Sequence, residues 1–273
     1  MQEMSKVIMG KTKSIVTLLT DFGTEDGYAG AMKGILAGSQ SDVQIIDISH
    51  DIEPYNIRQA AFALFNYAFH YPDKSIHIVV IDPGVGSDRK GIVVESSDQF
   101  FIGPDNGVFS FVYRHGPFKA YEIDEKSLGT RISSTFHGRD VFAPAALKII
   151  DGNLPAQTYP EVKNVISFYE NYEEVSESDY LLKVIHVDHF GNLILNYTRS
   201  DWESLASPKN IKLQIRHCFL YGIKNTFSEV DEGQIVATWD SSGFLQISQY
   251  RGSAAHLLHM NVGDEVHLRI EGS

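Results

Sequence analysis

Four short clusters ahead of Asp151 combine the side chains that acid–base chemistry and nucleophile activation require. They are Thr20-Asp21-Phe22-Gly23, Asp47-Ile48-Ser49-His50-Asp51, the run from Asp82 through Arg89, and Thr135-Phe136-His137-Gly138-Arg139-Asp140. The first three close short apolar runs, and the fourth precedes a helical pattern. Ligands of open α/β domains bind beyond the carboxyl ends of the strands, so these clusters would share one rim. A single aspartate at a strand end commonly forms a turn or caps a helix. Four polar clusters on one rim point instead to a site. Taken singly, Arg89 could pair with Asp88 or Asp82 in a surface turn, and His137 could cap or line the next helix. The chain has no GxxxxGK[ST], no GxGxxG between a strand and a helix, no HExxH and no paired cysteines. Its acids and histidines could in principle gather around a divalent ion, yet no two show a diagnostic ligand spacing. No metal site is expected.

The elements that must carry these clusters can be read from hydrophobic periodicity. Ser14-Thr20, Val43-Ser49 and Ile76-Asp82 are nearly continuous apolar runs, as in parallel strands covered on both faces. Between them, Tyr28-Ala37 and Asn56-Tyr71 repeat apolar residues at helical spacing, with Asp51-Ile52-Glu53-Pro54 leading into the second. A third helix is predicted over Asp140-Ile150, where Pro144 is tolerable only near its first turn. Phe62, Phe65 and Phe69 recur as a helix-core stripe, with Tyr67 off it. His50 and Asp51 are adjacent on a strand end and should point apart.

This βαβ pattern predicts an open, Rossmann-like α/β domain over residues 14–150, after an extension over 1–13. Residues 151–180, proline-containing and strongly acidic, read as a linker. Short runs at Leu181-Val187, Leu193-Tyr197, Ile211-Ile215, Gln234-Trp239, Phe244-Gln249 and Glu265-Ile270 then predict a smaller all-β, barrel-like domain over 181–273.

Composition excludes several function classes. The net charge of −12 gives no overall attraction to phosphate backbones or anionic lipid, so neither nucleic acid nor membrane is an expected partner. The single cysteine, Cys218, forms no intrachain disulfide, and its alternating surroundings predict a small buried residue. No apolar stretch is long enough for a membrane span, and the first residues lack the apolar core of a signal peptide. A cytoplasmic location is expected.

Six motifs together resemble one family. They are Thr20-Asp21-Phe22-Gly23, Asp82-Pro83-Gly84-Val85-Gly86 with Arg89, Gly103-Pro104-Asp105-Asn106-Gly107, Phe136-His137-Gly138-Arg139-Asp140, Asp188-His189-Phe190-Gly191-Asn192 and Ser241-Ser242-Gly243. Their order, from about Ile15 to Ile270, is similar to that of the S-adenosyl-L-methionine (SAM) hydroxide adenosyltransferases. These adenosine-forming SAM hydrolases are related to the SAM-dependent fluorinase and chlorinase.

The resemblance implies cleavage of SAM to adenosine and L-methionine by attack of water or hydroxide on ribose C5′. The sulfonium departs as a neutral thioether, so no general acid is required and no cofactor is implied. Asp82, Arg89 and His137 match the family's nucleophile-activating trio. Asp21 matches the carboxylate that holds the ribose hydroxyls, Asp188 an acid near the methionine ammonium, and Asn192 an amide reading the adenine edge. Phe190 and Gly191 would shape the turn that carries them. Ser241 and Ser242 lie where the family grips the methionine carboxylate, although the fluorinase has arginine at the second position. Ala254, with Ala255, would meet adenine through backbone atoms. Asp105 and Asn106 mark a turn near the pocket. The resemblance also implies a homotrimer with interchain active sites. The alternatives are a halogenase using chloride or fluoride, a non-catalytic SAM- or adenosine-binding module, and a metal-dependent hydrolase built on the rim acids.

Overall fold

A computed structural model of the chain describes residues 13–129, 131–204 and 210–271. The expected extension over 1–13 falls almost wholly outside the described residues. These residues form two compact units, with the division between Phe168 and Tyr169.

The first unit is built on a mixed sheet. Its strands are β1 (Ser14–Thr20), β2 (Val43–Ser49), β3 (Ile76–Val80), β4 (Gly91–Ser96), β5 (Gln99–Pro104), β6 (Phe118–Glu122) and β7 (Glu161–Val162). They lie in the order β2-β1-β3-β5-β4-β6-β7. Pairs β1/β2, β1/β3 and β3/β5 are parallel, whereas β4/β5, β4/β6 and β6/β7 are antiparallel. The helices are α1 (Tyr28–Ala37), α2 (Ile57–Ala68), α3 (Ser110–His115), α4 (Ala143–Ile150) and α5 (Pro155–Thr158).

The apolar runs exist because both sheet faces are covered. Val16, Leu18, Ile76, Ile78 and Val80 pack with Met32 and Leu36 of α1 and with Ala145, Ala146 and Ile149 of α4. Leu19, Val79 and Ile81 belong to a second cluster with Ala60, Leu64 and Ala68 of α2 and Val112 of α3. Successive strand residues thus serve opposite cores. Asn56 caps α2 by accepting the Gln59 N–H at 3.0 Å. Pro144 falls at the start of α4, where its missing N–H costs least. Before it, Gly138–Phe142 forms a π-helical turn.

The second unit contains β8 (Glu173–Ser176), β9 (Asp179–Val187), β10 (Leu193–Thr198), β11 (Asn210–Ile215), β12 (Cys218–Tyr221), β13 (Ile235–Trp239), β14 (Phe244–Gln249) and β15 (Glu265–Glu271). Two short helices, α6 (Arg199–Glu203) and α7 (Ala254–Leu258), interrupt them. The antiparallel order β12-β11-β15-β9-β10-β14-β13 curls around one core, with β8 added against β9. A bridge between Lys224 and Thr238 brings the two ends toward closure.

Two differences from the sequence reading have local causes. Residues 151–180 carry α5, β7 and β8 as well as the division between the units, because β7 pairs with β6 and β8 with β9. Cys218 is exposed, not buried. Arg216 adopts a left-handed φ of 53°, and the chain reverses so that Cys218 pairs with Ile215 on the terminal strand of the sheet order. No helix among the described residues is long and apolar enough to cross a membrane.

Candidate active site

In the first unit, Asp21, Asp82 and His137 line one cavity of about 340 Å3, together with Phe22, Tyr28, Tyr55 and Phe136. Asp21 follows β1 directly, and Asp82 follows β3 by two residues. The chain after Asp82 folds back through a tight turn, with Val85 N–H donating to Asp82 C=O at 3.2 Å and Ser87 N–H to Gly84 C=O at 3.1 Å. That turn returns Arg89 to Asp82. Gly86 has a φ of 77°, and a Cβ there would lie 2.3 Å from the Ser134 carbonyl oxygen. Only glycine lets this loop cross the 133–135 segment that leads to His137.

Arg89 Nε donates to both Asp82 carboxylate oxygens, at 2.9 and 3.0 Å, and Nη2 donates to Oδ2 as well. The side chains are 9% and 5% exposed, so this pair is internal and not part of a surface turn. Arg89 Nη2 also lies 2.8 Å from His137 Nδ1. A guanidinium only donates, so Nδ1 accepts and the imidazole proton resides on Nε2. His137 is itself buried and makes no side-chain cap to the following turn. Burial, then the Arg89 charge, holds its pKa below the ordinary histidine value against the opposing carboxylates of Glu125, Asp82 and Asp140. The ring is therefore neutral at pH 7.

Asp21 Oδ2 accepts the Tyr55 N–H at 2.9 Å, which fixes Tyr55 at a left-handed φ of 68° on the cavity wall. His50 steadies the end of β1: its Nδ1 lies 2.8 Å from Thr20 Oγ1, and its carbonyl accepts the Gly23 N–H at 2.8 Å. Its Nε2 sits 3.1 Å from Asp47 Oδ1, so its partner is Asp47 and not the adjacent Asp51. Asp105 accepts the Ile166 N–H and Asn106 donates to the Ile81 carbonyl, both bonds that hold backbone. Phe22, Tyr28 and Phe136 form an aromatic group with centroid separations of 5.2 to 5.8 Å. Sequence reasoning did not single out these rings or Tyr55 as site residues. Their positions beside Asp21 and His137 and at the start of α1 were the available signal.

In the second unit, Asp188 organises a turn. Its Oδ1 accepts the N–H groups of Phe190 and Asn192, both at 2.9 Å, and its Oδ2 accepts Asn192 Nδ2 at 2.7 Å. Gly191 has a φ of 80°, and its carbonyl accepts the Ala255 N–H at 2.9 Å from α7. Phe190, 72% exposed, lines a separate cavity of about 590 Å3 with Asn192, Phe227, Tyr250, Arg251 and Ser253. Asp188 reaches that cavity only through the residues it positions. Ala254, at the start of α7, is fully buried and follows Ser253 of the cavity wall. Ser241 and Ser242 form the turn before β14, where Asp240 Oδ1 accepts the Ser242 N–H at 2.9 Å and the Phe244 N–H at 2.7 Å. Burial raises the Asp240 pKa despite these bonds, and the nearby Asp188 charge adds to the effect. The sequence reading passed over Asp240. No group of three or more metal-ligating side chains is assembled among the described residues.

An α/β unit carrying a buried carboxylate–guanidinium–imidazole chain, followed by a small β-barrel unit, matches one family in both parts. Residues 16–159 match the SAM hydroxide adenosyltransferase N-terminal domain and residues 182–267 its C-terminal domain, so the chain belongs to that family. It is 38% identical over 269 residues to the (R)-S-adenosyl-L-methionine hydrolase of Methanocaldococcus jannaschii, across 93% of this chain and 95% of that protein. A fluorinase of Nocardia brasiliensis is more distant, 22% identical across 94% of this chain and 97% of its own. The crystal structure of an uncharacterized conserved protein from Thermotoga maritima superposes with a TM-score of 0.82 at 30% identity, covering 93% of this chain and 99% of the other.

Proposed function

We propose that the protein is a cytoplasmic SAM hydrolase that forms adenosine and L-methionine by attack of water or hydroxide on ribose C5′. The observation that carries this reading is the hydrogen-bonded chain Asp82–Arg89–His137 beside a cavity that also presents Asp21. Attack forms the O–C5′ bond and breaks C5′–S, and sulfur keeps the bonding pair. The leaving group is then neutral, and the one remaining task is to supply an in-line oxygen nucleophile. The fixed charge of Arg89 favours hydroxide over water, His137 Nε2 is the nitrogen left to orient it, and Asp82 keeps Arg89 in place. Asp21 offers two carboxylate oxygens to the vicinal ribose hydroxyls.

In the second unit, Phe190, Asn192 and the backbone of Ala254 would receive adenine. Asp188 would lie near the methionine ammonium, with Ser241 and Ser242 toward its carboxylate. The hydrolases it resembles are named for the R epimer at sulfur, and the same epimer is proposed as substrate here. A halogenase is disfavoured because Asp82, Arg89 and His137 are all present, matching the hydrolase trio. Incubation with SAM in oxygen-18 water tests the reading: label is expected in the adenosine 5′-hydroxyl, and a 5′-halo-adenosine formed from added chloride or fluoride would overturn it. The activity is expected to withstand chelator. The proposed assembly is a homotrimer whose active sites are shared between copies. Mixing dissociated Arg89→Ala and Asn192→Ala proteins is then expected to restore some wild-type sites on reassembly, and a monomer by light scattering would remove the assembly.

A further inference from the structure

Arg89 lines a second, polar cavity of about 600 Å3, together with Lys90, Glu122, Asp124, Glu125 and Lys126. Glu125 belongs to this wall and also approaches the trio, with Oε1 3.8 Å from His137 Nδ1. Its backbone is fixed by a short 3-10 turn, Glu125–Leu128, in which Asp124 accepts the Lys126 N–H at 3.1 Å. The Glu125 side chain is 44% exposed, whereas that of His137 is 7% exposed. A half-exposed carboxylate thus stands beside an imidazole whose side chain is itself almost wholly buried.

His137 Nδ1 faces two different partners. At 2.8 Å is Arg89 Nη2, which can only donate and so requires a lone pair on Nδ1. At 3.8 Å is Glu125, too far for a hydrogen bond in this state and able only to accept when ionised. With a lone pair, Nδ1 serves Arg89; with a proton, it must turn to Glu125. The hydrolysis proposed above releases one proton, because a sulfonium cation and water become adenosine and zwitterionic methionine.

We propose that Glu125 is the positioning residue for His137: it holds a proton on Nδ1, frees Nε2 to take the proton of the attacking water, and then relays the Nδ1 proton to the polar cavity. This rests on the hydrolase reading. As O–C5′ forms and C5′–S breaks, the water proton goes to Nε2 and the Nδ1 proton goes to the Glu125 carboxylate, then to solvent. The imidazole is left with its proton on Nε2 and its Nδ1 lone pair on Arg89, the arrangement present in the structure. The ligand-free ring keeps that arrangement; when the next SAM and its water bind, Nδ1 is reprotonated from solvent through Glu125 and the Nε2 proton leaves through the cavity, which resets the ring.

The charges facing His137 are Arg89, which disfavours the imidazolium, and Glu125, Asp82 and Asp140, which favour it. Removing the Glu125 charge therefore lowers the His137 titration midpoint. In Glu125→Gln, nitrogen-15 NMR of the substrate-free protein is expected to show that midpoint falling by about half a pH unit or more. In the same variant kcat falls about tenfold at low buffer concentration with KM kept, and added formate or imidazole restores it. Glu125→Asp retains more activity than Glu125→Gln. An unmoved midpoint overturns the proposal, as does a kcat loss that small buffers do not restore. If the wild-type protein leaves SAM intact, the hydrolase reading fails, while the NMR midpoint still decides whether Glu125 and His137 are paired.

Discussion

Arg89 satisfies two acceptors with one edge of its guanidinium, and that geometry separates stability from chemistry in a way mutation can resolve. Removing Arg89 leaves the Asp82 carboxylate buried without its counter-ion, at a cost of about 3 kcal/mol. It also removes the charge proposed to favour hydroxide. Arg89→Ala is expected to unfold at lower denaturant and, where still folded by circular dichroism, to lose about 10²-fold or more in kcat with KM little changed. Full activity in that variant would exclude Arg89 from the chemistry. Asp21→Ala should behave differently. Its carboxylate would meet the ribose hydroxyls and already holds the Tyr55 N–H, so the expected loss is in KM, read from initial rates across SAM concentrations.

At the scale of elements, the site depends on two loops that must touch: the one from Asp82 to Arg89 and the one from Ser133 to His137. Gly86 is where they meet. An added methyl would meet the Ser134 carbonyl and would also occupy a left-handed conformation, so Gly86→Ala must push the loops apart. The expected result is a stability loss of about 1–3 kcal/mol by chemical denaturation together with a fall in kcat, because Arg89 and His137 lose their common register. Ser87→Ala, which removes only the exposed hydroxyl that bonds Gly84 C=O and the Arg89 N–H in the same turn, should lower kcat less than Gly86→Ala. Such crossings were not legible in the sequence, which marks a glycine but not what passes beside it. β1, α1 and α2 were legible, because burial on both faces or on one stripe leaves a strong period, and β2, an edge strand without a buried residue, was legible from its apolar run. Strands β4, β5 and β6 were not anticipated: β5 joins the parallel core through β3, then β4 and β6 turn antiparallel within a stretch read chiefly for its motifs. The trio residues were visible as types, Asp82 and Arg89 in the run after a strand and His137 in the cluster before a helix. Their meeting in space came from the family resemblance and from the fold, not from spacing. Asp188 was legible as a candidate acid, but not the bonds by which its carboxylate also holds the turn that presents Phe190 and Asn192, which only hydrogen-bond geometry assigns.

For the molecule as a whole, the two units carry separate cores, and the first contains a buried histidine outside the proposed chemistry. His77, in the middle of β3, is fully buried, with Nδ1 2.8 Å from Thr17 Oγ1 and its ring stacked on Phe101 at 5.0 Å. Burial pushes its pKa down to about 3, and the Gln99 side chain only partly offsets the desolvation of an imidazolium. In the unfolded chain the same group titrates near its ordinary value of about 6.5. Between those two values the unfolded state binds the extra proton, so stability rises with pH and is lost as pH falls through this window. The slope from one such group reaches about 1.4 kcal/mol per pH unit. Denaturant titrations of wild type and His77→Phe at pH 4, 5 and 6 isolate the contribution, since the carboxylates are common to both proteins. Wild type is expected to be the more stable at pH 6 if the Thr17 hydrogen bond outweighs the added ring volume. Whatever that offset, the difference must shift toward His77→Phe as pH falls to 4. Parallel lines for the two proteins would mean that His77 accepts a proton without unfolding, through a local opening of β3 against β1.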